Sequence, residues 1–96
     1  MIKHIVMFKL KEKTADNLSR VVNALKEMEG KIETLKYIEV GEDFKGSERS
    51  FDVVLTTHFE NQAGLETYIA HPVHKPVVEL IGSLCEKSVV VDYLKV

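Results

Sequence analysis

The chain has 96 residues, 45% of them hydrophobic and 29% charged, with a formal net charge of −2. A single domain of this size buries only about 60–65% of the surface its unfolded chain exposes, so a partner subunit would add to a modest core. Scattered lysines form no basic stripe for a phosphate backbone, and no run approaches the roughly 20 apolar residues of a membrane span, which argues against nucleic acid and membrane as partners.

The N-terminal "MIKHIVMFKL" alternates apolar and polar residues instead of showing the pattern of a secretory signal, so a cytoplasmic protein is expected. Over residues 2–10, Ile2, His4, Val6, Phe8 and Leu10 share the core face of a strand. Ile5 and Met7 make the opposite face apolar as well. Thr14 caps a helix whose stripe is Leu18, Val21, Val22, Leu25 and Met28, with Gly30 as the stop. Residues 35–40 form a second strand, and the aperiodic "GEDFKGSERS" is a loop.

Residues 51–59 carry the clearest strand pattern, with Phe51, Val53, Leu55, Thr57 and Phe59 inward and Asp52, Val54, Thr56 and His58 outward. Asn61 caps a short helix that holds Leu65, Tyr68 and Ile69 and is interrupted by Pro72. A second helical piece with Val73, Val77, Leu80 and Ile81 runs to about Gly82. Residues 88–96, with three consecutive valines, predict a strand buried on both faces. The single cysteine, Cys85, has no adjacent cation to favour its thiolate and reads as a buried structural residue.

This order, strand, helix, strand, strand, helix, strand, is the α+β ferredoxin-like βαββαβ arrangement: one domain over residues 1–96, with a four-stranded antiparallel sheet and its helices on one face. The open sheet face would display Ile5, Met7, Val54, Val89 and Val91. That is more apolar surface than monomers usually expose, and it predicts a homodimer joined sheet to sheet, a dimeric α/β barrel.

Taken together, "HIVMFKLK", "VGEDF", "FDVVLTTHFEN", "LETYIAHPVH" and "VVVDYLKV" resemble the stress-responsive α/β-barrel (dimeric A/B barrel) domain family over nearly the whole chain. The resemblance implies a dimer and a cavity between sheet and helices in each subunit. Plant members include a boiling-stable oligomeric protein and a polyketide cyclase that closes a linear poly-β-keto chain by aldol condensation. The cyclase's catalytic tyrosine and histidine match Tyr68 and His74, and its first-strand pocket histidine matches His4. A further pocket histidine of the cyclase falls at Val53, so a less polar cavity is expected here.

Within that frame His74 is the candidate general base and Tyr68 the candidate donor to an oxygen gaining charge. His4, Val6, Phe8, Val53, Leu55 and His71 are expected around the pocket, with His71 also a cap or hinge because it precedes a proline. His58 is assigned by strand parity to the dimer side. On one unbroken helix Tyr68 and His74 would lie roughly 240° apart, and the break at Pro72 would turn His74 back towards Tyr68. His71 and His74 are only part of a zinc site, which needs at least three protein ligands, so no metal and no cofactor are expected. The leading expectation is a homodimer binding an apolar or polyketide-like small molecule, with cyclase or lyase chemistry. The alternatives are a non-catalytic, very stable oligomeric stress protein and, by fold analogy alone, a cofactor-free monooxygenase.

Overall fold

A computed structural model describes residues 1–96. Its elements are β1 (Ile2–Leu10), α1 (Ala15–Lys26), β2 (Tyr37–Glu42), β3 (Val53–Phe59), α2 (Gln62–Ala70), α3 (His74–Leu84) and β4 (Cys85–Leu94). The strands pair antiparallel in the order β2-β3-β1-β4, the ferredoxin-like arrangement. No helix is long and apolar enough to cross a membrane.

The core forms where the sheet's inward face meets the helical stripes: Phe8, Leu10, Val53, Leu55 and Phe59 pack with Val21, Leu25, Met28, Tyr68 and Ile81. The Thr14 hydroxyl accepts from the Asn17 backbone N–H and caps α1. Past Lys26 the chain tightens into i→i+3 bonds from Met28 and Glu29, which keeps Met28 in the core. Gly30 then takes positive φ (77°) to turn the chain away.

Several boundaries differ from expectation. β2 begins at Tyr37 and extends through Gly41 to Glu42. β3 begins at Val53, because Asp52 and Phe51 belong to the loop that closes over the end of β1. Phe51 is therefore only partly buried, against Lys87, and is not a core residue. Asp52 is buried instead: its carboxylate accepts the Leu10 N–H at 2.8 Å and lies 3.5 Å from Lys13 Nζ, beside the register shift between Lys9 and Leu10.

Gly82 does not stop α3, which runs on to Leu84 and passes directly into β4 at Cys85. Nor is β4 buried on both faces. It is an edge strand that the helices cover only in part, and Val90 and Val91 are 59% and 53% exposed.

Candidate functional site

The site is built around a broken helix. α2 starts at Asn61, whose side chain accepts the Gly64 N–H at 2.8 Å, and ends when His71 takes the extended conformation (φ −66°, ψ 139°) that a following proline favours. Pro76 sits in the first turn of α3, where a missing N–H leaves no helical bond unmade. The break re-aims the chain so that the rings of Tyr68 and His74 lie 4.5 Å apart, tilted by 47°.

Those rings sit on the wall of a cavity of about 350 Å³ between the sheet and the helices. Val6, Phe8, Leu25, Met28, Leu55, Val77 and Ile81 make it apolar, and its exposed rim carries Val78, Gly82, Ser88 and Val90. The polar side chains cluster around Tyr68, whose ring is also 6.0 Å from that of His4. His4 Nδ1 pairs with the Asp92 carboxylate, and the Thr57 hydroxyl donates to the His4 carbonyl at 3.0 Å.

The two central groups have complementary protonation. Tyr68 is 1% exposed, and burial pushes its hydroxyl up to about 12, so it stays a donor at neutral pH. That hydroxyl makes no hydrogen bond within the chain, yet no sealed side-chain oxygen or nitrogen lacks a partner. It therefore reaches open cavity space. Burial holds His74 below the ordinary histidine value, an effect opposed by its bond to the Ile69 carbonyl and reinforced by His4 and His71. His74 Nδ1–H donates to that carbonyl at 3.0 Å, which leaves the lone pair on Nε2.

Of the expected pocket residues, His4, Val6, Phe8, Leu55, Tyr68 and His74 line this one cavity. Val53 and His71 do not, and both are corrections. Val53 is sealed in the core at the start of β3, paired with Phe8, while the cavity opens the other way, towards β4. His71 is engaged in the connector: its Nδ1 accepts the Val73 N–H at 3.1 Å and its Nε2 lies 3.6 Å from Glu33. His71 and His74 thus have separate partners and do not converge.

Asp92 is the polar residue that sequence reasoning missed. Its role follows only from the register that sets it opposite His4 across β1 and β4. His58 stacks on Tyr37 at 4.5 Å on the open sheet face, as strand parity predicted. Cys85 is half-buried at the α3–β4 junction; burial, with help from Asp52 and against Lys11, pushes its thiol up and disfavours the thiolate.

The model of the "Stress responsive A/B Barrel Domain" family matches residues 2–95. A stress-response A/B barrel domain-containing protein of Arabidopsis thaliana is 28% identical over 94 residues, which is 95% of this chain and 83% of that protein. Among solved structures, a dimeric ferredoxin-like protein of unknown function from Bacteroides fragilis is 29% identical with a TM-score of 0.83, covering 98% of this chain and 95% of that one. A hydroxynitrile lyase from Passiflora edulis shares the fold at a TM-score of 0.85, with 17% identity over 98% of this chain and 92% of its own.

Proposed function

The chain belongs to the stress-responsive A/B barrel domain family, and from that membership and the cavity we propose a homodimer whose subunits each bind an apolar, carbonyl-bearing, polyketide-like molecule and act on it as a lyase or cyclase. One observation carries the reading: a neutral imidazole with a free Nε2 and an unpartnered tyrosine hydroxyl share the wall of a largely apolar cavity.

In this reading His74 Nε2 takes the proton from a carbon flanked by two carbonyls, and the C–H electron pair moves into an enolate. The oxygen that gains charge accepts a hydrogen bond from Tyr68, which strengthens as that charge develops. For ring closure, the enolate carbon attacks a second carbonyl of the same chain. A C–C bond forms, and the imidazolium returns its proton to the new alkoxide. No external oxidant or reductant is required.

Pairing through the open sheet face leaves this cavity on the opposite side of the sheet. Met7, Tyr37, Val91 and Tyr93 supply that face with exposed apolar and aromatic surface, and the Bacteroides fragilis relative is a dimer. A non-catalytic protein selected only for stability would be expected to fill the cavity with side chains, as close-packed interiors do. The test is turnover of a linear poly-β-keto substrate: His74→Ala should abolish it while dimer and melting point stay nearly unchanged. Equal turnover by the variant removes His74 from the mechanism.

A further inference from the structure

The cavity's mouth has a shape that its polar cluster does not explain. His74, Val78 and Gly82 follow at four-residue steps along α3, so they form one row on the helix surface, and all three line the cavity. Facing them are the alternate β4 residues Ser88 and Val90, with Asp92 next in line opposite His4. Both rows line the same cavity, and the contacts from His74 to Tyr68, Tyr68 to His4 and His4 to Asp92 set the His74 end towards Asp92, which leaves Gly82 and Ser88 at the other end, near the α3–β4 junction. Eight residues of helix span about 12 Å and four of strand about 13 Å, so the rows match in length. Between them lies a slot, polar at the His74 end, valine-walled at the middle and without a side chain at Gly82.

Glycine is a poor choice in a helix interior unless space demands it. Here it does not, since a Cβ at Gly82 would meet nothing within 4 Å. The gap thus serves neither packing nor backbone conformation, because φ at Gly82 is not positive. What it does is leave the cavity wall without a side chain at that end of the row.

We infer that Gly82 sets the length of ligand the cavity takes: a straight apolar chain lies in the slot with its carbonyl at Tyr68 and His74, and its far end passes out between Gly82 and Ser88. The inference rests on the proposed carbonyl-ligand reading. It adds a limit that reading does not contain, because a blocked slot should exclude long chains and still admit short ones.

The experiment is titration of the intact protein with pentan-2-one, nonan-2-one and tridecan-2-one, followed by the chemical shifts of the cavity residues. The wild type should hold the two longer ketones at least as tightly as pentan-2-one. Gly82→Leu should weaken tridecan-2-one at least tenfold and leave pentan-2-one unchanged. Ser88→Leu narrows the slot from the other side and should impose the same limit, so the test survives if one variant folds poorly. Wild-type-like binding of all three ketones by the folded variants overturns the role of Gly82 alone. Failure of the wild type to bind any ketone overturns the carbonyl-ligand reading together with the length limit.

Discussion

The imidazole of His74 lies 4.5 Å from the ring of Tyr68, centre to centre, although five residues and a helix break separate them in the chain. The break is held by His71, whose Nδ1 accepts the Val73 N–H and whose backbone carbonyl accepts the His74 N–H at 2.9 Å. His71 is thus a positioning residue for its neighbour. His71→Ala should cost about 1 kcal/mol, as loss of a cap does, and lower turnover with it. His71→Asn, which keeps a side-chain acceptor, should recover part of both. Melting curves and turnover measured on the same preparations check this, and an alanine variant with wild-type values in both would show that the connector holds itself.

Tyr68 separates packing from chemistry. Its ring is buried against Phe59, with centroids 5.0 Å apart, but its hydroxyl has no partner in the chain. Tyr68→Phe should therefore change stability by less than about 1 kcal/mol while lowering kcat by about 10²–10³, the usual effect of removing one oxyanion donor. Tyr68→Ala should lose about 3–5 kcal/mol, as large aromatic truncations do. If the phenylalanine variant keeps full turnover, the hydroxyl is not the donor.

The pH dependence follows from His74 and His58, both held below the ordinary value of 6.5 and both chiefly by burial. In the unfolded chain each takes its proton near 6.5, whereas in the folded chain each resists it. Between 6.5 and the lower folded value the unfolded state thus binds more protons, and stability must fall as pH falls through that window. Above about 6.5 both are neutral in either state and their contribution is constant. The melting temperature should therefore drop on acidification below 6.5, and less steeply in His74→Gln. The acid limb of kcat/KM should likewise have its midpoint below 6.5, since the base must be neutral to act; a midpoint above 6.5 would point to a different group.

What the sequence made legible was periodic, and what it hid was non-local. The alternation of β1 and β3 placed His4, Val6, Phe8 and Leu55 on the cavity side, and the proline after His71 announced the break that joins Tyr68 to His74. Asp52 had outward parity in a strand pattern, but the chain enters β3 one residue later and the Leu10 N–H needs an acceptor. Asp92 acquires its role only from pairing across 88 residues of sequence. Val89 to Val91 read as buried on both sides because local hydrophobicity carries no information about which strand becomes the sheet edge. Gly82 read as a helix stop for the same kind of reason: glycine ends many helices, and only the fold reveals that this one faces a cavity mouth.

The open sheet face supplies the last prediction. Met7 and Val91 are 40% and 53% exposed and lie with Ile5, Val54 and Val89 on the face away from the helices. Lys3 and Lys9 share that face, so a further positive charge at Met7 would be set among like charges. In a two-fold pair it would also approach its own copy. Met7→Lys should therefore convert a species of twice 10.9 kDa into one of 10.9 kDa in sedimentation at micromolar concentration. The wild type should melt at higher temperature as its concentration rises, because association stabilises by mass action, and the variant should lose that dependence. A monomeric wild type would refute the sheet-to-sheet pair directly. A Met7→Lys protein that remained a dimer would move the interface elsewhere, since a buried lysine pair at the centre of this face would face a desolvation penalty of several kcal/mol per charge.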